Sequence, residues 1–533
     1  MTLNADSSMV HLAQRERRPS PRGAAPRIIP PTLPLRFAVV AALLAGTSLD
    51  LAYPEIGWWP VAFVSVTVAL WTLRGRSLPA AFLVSLLFGA SFYFTHLVWV
   101  SKFLGPVPWV ALAGLESMLF GAGGVLIALA YRLALSSRGL STVAPAMVAG
   151  LWVLRETVMG SWPYGGFPWA RTGLTLVDSP FVAAASWVGT TGLSFLMVFI
   201  CASVLQALSQ RRRRGSIPAV LVVLLTVLIP LFPTEQVGTM RIGWVQGNGP
   251  SGYFDAKSAG AILDAQEAAS TPLAGRQMDL LVWPEGSVDS DPLRDAETAA
   301  RLDRLVRDMG APALANAATQ REGHTFNTSL LWGGDGPVQL HDKTNPVPFG
   351  EYVPDRWFYE AVAPDLIGLI QREYTPGSNA PVMDVANMRI GLAICFDVIY
   401  DDVIRESAMA GAQLYVFQTN NADFRGTDEN LQQLATARMR AIETGRTVVN
   451  VSTTGTSQII RNDGTVLSEL SVDTTGAQIS EVPRHTGITP AVALMPWIGP
   501  VLGGASLLAL LIATFALRHT RNTGGASRER NNL

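Results

Sequence analysis

Three residue types at three separated positions could together carry out acyl chemistry: a thiol at Cys395, a carboxylate at Glu285 and an amine at Lys343. Cys395 follows Met388-Arg-Ile-Gly-Leu-Ala-Ile394, an apolar run that reads as a buried strand and is too short to cross a bilayer. A side chain at the C-terminal end of such a strand is held by the sheet yet reaches a crevice. A thiol with an ordinary pKa of about 8.5 is barely ionised at neutral pH, so a nucleophilic cysteine needs a base and gains from a cation. Glu285 ends the run Leu280-Leu-Val-Trp-Pro-Glu285. Beside Trp283, away from water, its carboxyl would rise from about 4.3 towards the range of a general base. Lys343 lies in His341-Asp-Lys-Thr-Asn-Pro-Val-Pro-Phe-Gly-Glu-Tyr-Val-Pro354, too rich in proline for a helix and shaped as a fixed loop. An ammonium there could neutralise a developing oxyanion. Each group alone has a plainer use, as core thiol, satisfied turn or solvated lysine. A Cys–His pair using His324 or His341 is a rival that spacing leaves open.

The elements that must position these groups divide the chain into a membrane part and a polar part. Only 15% of the 533 residues are charged, mean hydropathy is positive, and the apolar residues concentrate before Phe232 and after Thr489. Apolar stretches at 37–53, 57–73, 78–100, 107–135, 143–159, 181–208, 217–232 and 488–517 predict eight transmembrane helices, most of them near the ~20 residues a bilayer requires. The first, second and seventh are short. Residues 1–34, rich in Arg and Pro, read as a disordered cytoplasmic tail, and 518–533 as a second cytoplasmic tail. Seven spans thus occupy 35–233 and the eighth occupies 488–517. With the N-terminus inside, Arg74, Arg76, Arg132, Arg138, Arg211 to Arg214, Arg518, Arg521, Arg528 and Arg530 all fall on the cytoplasmic side. Only Lys102, Arg155 and Arg171 fall in short outside loops, so the positive-inside rule places 234–487 outside the cell. The arginine clusters are an orientation signal and not a nucleic-acid signature. A cleaved signal peptide is not expected, because the first span lacks a small-residue cleavage pattern and is followed by others.

The 234–487 segment alternates expected strands at 240–246, 280–284, 330–332, 389–394, 413–418 and 447–452 with helical patterns at 296–309 and 430–444. That texture predicts a layered α/β domain. Cys201 and Cys395 lie in different environments, so no disulfide is expected. No Gly-rich phosphate loop or Cys/His metal spacing is found, and neither cofactor nor metal is expected. Asn327-Thr-Ser and Asn450-Val-Ser match a glycosylation sequon without further support. The aromatic stretch 161–173 reads as an interfacial belt in preference to a lipid access site.

Trp-Pro-Glu285, Lys343 with Pro-Phe-Gly-Glu-Tyr-Val-Pro354, and Ile-Cys395-Phe-Asp397 resemble the Glu–Lys–Cys motifs of the nitrilase (carbon-nitrogen hydrolase) superfamily, in order and in separation. Arg440-Ala-Ile-Glu-Thr-Gly-Arg446, Ser452-Thr-Thr-Gly-Thr456, Val245-Gln-Gly-Asn248 and Gly166-Phe-Pro-Trp169 resemble its membrane branch, the apolipoprotein N-acyltransferases. The resemblance implies an exported α-β-β-α sandwich joined to about eight transmembrane helices in a bacterial cytoplasmic membrane. It further implies Glu285 as general base, Lys343 as stabiliser of the tetrahedral intermediates and Cys395 as the nucleophile that carries an acyl thioester. Glu351 would orient Lys343 or the base, with Phe396 and Asp397 in support. The implied partners are a membrane phospholipid as acyl donor and a diacylated apolipoprotein as acceptor, served by a monomer. A membrane-tethered amidase using water as acceptor is the alternative, and a binding scaffold a third reading. Where many relatives have Cys-Tyr-Glu this chain has Cys395-Phe396-Asp397, where Asn-Asp-Ala-Trp-Phe is common it has Asn420-Asn-Ala-Asp-Phe424, and where Gln-His is frequent it has Gln432-Gln433.

Overall fold

Apolar runs opened by proline favour helix, because proline is preset for the first turn and its missing N–H would have had no partner there. A computed structural model describes residues 31–134, 138–210 and 217–530. Most of the expected N-terminal tail and all of Arg211 to Arg214 lie outside the described residues. Helices α1 (Leu35–Asp50), α2 (Trp59–Leu73) and α3 (Leu78–His96) are followed by the single turn α4 (Ser101–Leu104). Next come α5 (Pro106–Ala134), α6 (Arg138–Met159), α7 (Ala185–Gln210) and α8 (Ile217–Leu228). Among the described residues, four helices are long and apolar enough to cross a membrane: Leu78–His96, Pro106–Ala134, Val182–Ser209 and Pro490–Ala516. Helix α8, of 12 residues, is about 18 Å long, short of a hydrocarbon core of about 30 Å. Gly189 at φ 65 and ψ 176 breaks α7 near its start, a left-handed conformation that suits glycine.

The polar segment forms two six-stranded sheets. Its strands are β1 (Glu235–Gln246), β2 (Leu280–Val282), β3 (Ala313–Arg321), β4 (His324–Gly333), β5 (Gly336–Asp342) and β6 (Val382–Val385), then β7 (Met388–Ile394), β8 (Leu414–Thr419), β9 (Val448–Ser452), β10 (Ser457–Ile460), β11 (Val466–Leu470) and β12 (Gly476–Thr486). The first sheet runs β12-β1-β2-β3-β4-β5 and the second β11-β10-β9-β8-β7-β6. Strands β1, β2 and β3 are parallel neighbours, as are β7, β8 and β9. Alternation decides which side chains face inward. Ile242, Trp244, Leu280 and Val282 of one sheet meet Ile390, Leu392, Val416 and Val449 of the other in a shared core. Their alternates Val245, Leu281 and Trp283 pack outward, in one cluster with Leu263 of α9 (Ala261–Ser270) and Leu302 and Leu305 of α10 (Ala296–Met309). Asp295 caps α10 by accepting from the Glu297 N–H, and Gly310 ends it in the left-handed region.

After the short helices α11 (Arg356–Val362) and α12 (Pro364–Ile367), the second sheet is covered by α13 (Asp401–Met409) and α14 (Glu429–Thr444). These helices form a single apolar core with the membrane-type helices, in which Ile404, Leu434 and Met439 join Phe92, Trp152 and Met197. Helix α14 is therefore buried on nearly every face, as a helix between two packed layers must be. An ion pair crosses the same boundary, and an arginine of α14 joins it from within the domain. Arg171 donates to Asp401 at 2.7 Å, Arg440 pairs with Asp401 at 2.8 Å and with Glu443 at 2.7 Å. Glu443 accepts from the N–H and hydroxyl of Thr190, each at 2.6 Å, capping the part of α7 that resumes after the break. The last helix, α15 (Pro490–Arg530), continues as helix through the stretch expected to be a tail after 517.

Candidate active site

Cys395 follows β7 directly and has φ 48, a left-handed conformation uncommon for a non-glycine residue and a sign of strain held at a special position. The turn lifts the thiol out of the strand and lets Phe396 and Asp397 begin a short 3-10 helix, Cys395–Ile399. Glu285 stands just beyond β2 and Lys343 just beyond β5. The structure thus brings the three sequence-expected groups to one end of the paired sheets.

Lys343 is 1% exposed, and its Nζ donates to Glu285 at 3.3 Å and to Glu351 at 2.9 Å. Asn327 Nδ2 donates to Glu285 Oε1 at 2.7 Å and to Glu351 Oε1 at 3.3 Å. Asn316 Nδ2 in turn donates to Asn327 Oδ1 at 2.9 Å. Glu351 is fixed from its other side by the Val347 N–H at 2.7 Å. Asp397, fully buried, accepts from Asn345 N at 2.8 Å and Asn345 Nδ2 at 3.1 Å, so the turn that begins at Cys395 holds the loop that carries Lys343. Asn327 reads from sequence only as part of a sequon; it and Asn450 are both buried, which places neither on the surface a glycan requires. Nothing in its spacing marks Asn327 as a site residue, because a neutral amide on a strand looks like any strand residue.

One cation among buried carboxylates sets the protonation states. Burial, reinforced by the Glu351 charge and opposed by Lys343, raises the Glu285 carboxyl above its ordinary value. Burial alone would lower Lys343, but the carboxylates of Glu285 and Glu351 outweigh it and hold the ammonium charged. Burial and then the Glu285 charge push the Cys395 thiol well up. The resting sulfur is therefore a neutral thiol, which would have to give up its proton to act as a nucleophile. The groups whose charges reach it are Glu285, Lys343 and Glu429. Neither histidine is among them: His324 sits at the start of β4 against Thr375, and His341 is buried within β5.

The aromatic stretch 161–173 does not form a simple belt. Trp169 is buried, its indole N–H donates to Gln432 at 2.7 Å, and Trp99 donates to the same oxygen at 3.2 Å. Phe167 stacks on Phe396 at 5.9 Å between ring centroids, and Tyr400 donates to the Gly166 carbonyl at 3.2 Å. The stretch thus packs on Phe396 and Tyr400, within and just after the 3-10 turn that begins at Cys395. Its sequence signal is aromatic clustering, which does not by itself distinguish protein contact from lipid contact.

Residues 45–203 match the family model of the apolipoprotein N-acyltransferase N-terminal domain, and residues 241–489 match that of carbon-nitrogen hydrolase. The apolipoprotein N-acyltransferase of Mycolicibacterium smegmatis is 33% identical over 520 residues, 89% of this chain and 84% of the relative. That of Ralstonia nicotianae is 29% identical, covering 93% of this chain and 96% of the relative. An amidase from Nesterenkonia sp. of known crystal structure aligns with a TM-score of 0.34 and 18% identity, over 47% of this chain and 93% of the amidase.

Proposed function

The chain belongs to the apolipoprotein N-acyltransferase family, and from that premise we propose that it moves a fatty acyl chain from a membrane phospholipid to the α-amine of a lipoprotein's N-terminal S-diacylglyceryl-cysteine. Cys395 attacks the ester carbonyl while Glu285 takes its proton, and Lys343 balances the charge on the tetrahedral oxygen. The lysophospholipid leaves with that proton, and the acyl chain remains on sulfur as a thioester. The amine then attacks the thioester carbon and gives a proton to Glu285. The C–S bond breaks, and the sulfur takes that proton back. Glu351 positions Lys343, Asp397 fixes its loop, and Phe396, next to Cys395 in the chain, stacks on Phe167.

The observation that carries this reading is the buried Glu285–Lys343–Glu351 cluster at the strand ends. It stands in a domain whose α13 and α14 share one apolar core with the membrane-type helices. Both substrates are lipid-anchored, so lateral delivery and exclusion of water favour transfer to nitrogen over hydrolysis. In the same reading a monomer crosses the bacterial cytoplasmic membrane eight times, with 35–233 and 488–517 as spans and 234–487 outside, as the arginine distribution supports.

The test uses purified full-length protein, acyl-labelled phospholipid and a diacylated lipopeptide. Label recovered on the lipopeptide amine with wild type, and lost with Cys395→Ala, is the expected result. Free fatty acid as the sole product would make the protein a hydrolase and contradict the proposal.

A further inference from the structure

Two adjacent glutamines of α14 reach in different directions. Gln432 accepts the indole N–H groups of Trp99 and Trp169 from the bundle side. Gln433, 3% exposed, points its Nε2 at the Cys395 sulfur, 3.4 Å away. An amide can present either its NH₂ or its oxygen to a neighbour, and a network of buried side chains decides which. Asn421 Nδ2 donates to Glu429 Oε2 at 2.8 Å and to Gln433 Oε1 at 3.0 Å. The hydroxyl of Ser452, whose oxygen already accepts the Gly455 N–H at 2.9 Å, donates to Asn421 Oδ1 at 2.6 Å. Burial pushes the Glu429 carboxyl up to about 8, yet its Oε2 still accepts from the Asn421 NH₂ while the Ser452 hydroxyl donates to the Asn421 oxygen, and the two contacts together turn the Asn421 amide that way. The second N–H of Asn421 then fixes the facing end of Gln433 as oxygen, which leaves the Gln433 NH₂ for the sulfur. Ser452, Asn421 and Glu429 are all at least 95% buried, so no water competes for these roles.

We propose that Gln433 is a further catalytic residue of acyl transfer, an N–H donor that steadies negative charge on the Cys395 sulfur, and that Asn421 and Glu429 are positioning residues that keep this end of the amide turned inward. The proposal rests on the reading of Cys395 as the acyl carrier. As the thiol loses its proton to Glu285 in the first half-reaction, charge builds on sulfur. It builds there again in the second, when the amine nitrogen has bonded to the acyl carbon and the electron pair of the breaking C–S bond goes to sulfur. Hydrogen bonds to ionised atoms are the strong ones, so the donor matters most at those two moments.

The test measures alkylation of Cys395 by iodoacetamide against pH in the full-length protein, read on the Cys395 peptide by mass spectrometry, together with kcat and KM for the lipopeptide. Gln433→Ala leaves the ionisable neighbours of the sulfur, Glu285, Lys343 and Glu429, in place. It is expected to raise the apparent thiol pKa by about one unit and to lower kcat about tenfold, as loss of one hydrogen bond to a charged atom should, with KM nearly unchanged. Gln433→His, which keeps an N–H, is expected to recover most of kcat. An alkylation profile and kcat equal to wild type in Gln433→Ala would overturn the proposal. Should Gln433→Ala not fold, Glu429→Gln is compared with Glu429→Leu. The first keeps an acceptor for Asn421 and should retain kcat within about threefold, whereas the second should lose about tenfold. Equal values for the two would overturn the positioning role. Cys395→Ala separates the levels: transfer that persists in that variant overturns the reading beneath, while its loss alongside a normal Gln433→Ala overturns this inference alone.

Discussion

A neutral thiol, a carboxyl that holds its proton more tightly than usual and an ammonium that keeps its charge make a site that waits for substrate. Because burial raises Glu285 above the ordinary carboxylate range, the proposed general base is unprotonated only at higher pH than a solvated glutamate would need. The rate of thioester formation should therefore rise with pH through a midpoint above about 4.3, measured by single-turnover acylation in rapid quench; a midpoint at the ordinary value would show that Glu285 is not the base. Glu285→Gln keeps the shape of the side chain and removes its basicity, so acylation should slow by about 10²- to 10⁴-fold in the same assay. At this scale the sequence is informative where a residue ends a strongly patterned run, as Glu285 and Cys395 do, or sits in a proline-fixed loop, as Lys343 does. It marks Asn421 and Gln433 only as places within motifs that vary from the family pattern, and Asn327 only as part of a sequon, and gives none of them a role. Their part depends on which way an amide is turned by partners far along the chain, and no periodicity records that.

The elements that hold the site are of two kinds, and only one announces itself. Strands β7, β8 and β9 are central, buried over most of their length and largely apolar, so they stand out in the sequence. Strand β3, with the sequence Ala-Leu-Ala-Asn-Ala-Ala-Thr-Gln-Arg, has weak strand propensity and takes its form from pairing with β2 and β4. Strand β12 is an edge strand with mixed polarity, paired to β1 over its whole length. The reading of 330–332 as a strand catches only the apolar end of β4. Strand β5 adds a test of its own, because His341 is fully buried there and burial lowers its pKa to about 4 from an ordinary 6.5. The folded chain favours the neutral ring, whereas the unfolded chain takes up a proton near 6.5. Its contribution is therefore complete above pH 6.5 and is lost as pH falls towards about 4, at most ~3 kcal/mol. Thermal unfolding across pH 7 to 4 should show a steeper acid loss in wild type than in His341→Leu; parallel curves would contradict the assignment.

The whole molecule is an α/β sandwich whose cover helices are shared with a helical bundle, and the boundary is buried and charged rather than a flexible linker. Asp401 receives both Arg171 from the bundle side and Arg440 from α14. Asp401→Ala takes the carboxylate from Arg171 and leaves Arg440 with Glu443, and should cost about 3 kcal/mol, the low end for breaking a buried pair. That is seen as a lowered unfolding temperature in detergent, while a change confined to the noise would mean the network is solvated. Composition separates the apolar and polar halves well, since hydropathy is additive along the chain. It does not reveal that 161–173 belongs to the site, because that depends on where a loop between helices meets α14. The proposed orientation predicts that a cysteine placed at Glu322, in the turn between β3 and β4, reacts with a membrane-impermeant maleimide in intact cells. Reaction only after the cells are opened would reverse the topology. The central claim is that the sulfur of Cys395 carries the acyl chain between donor and acceptor. It is tested most directly by mass spectrometry of the Cys395 peptide after incubation with phospholipid alone, before and after hydroxylamine. The account predicts a fatty-acyl mass on that peptide that hydroxylamine removes; continued transfer to the lipopeptide with no acyl mass on Cys395, or with the acyl group on another residue, would contradict it.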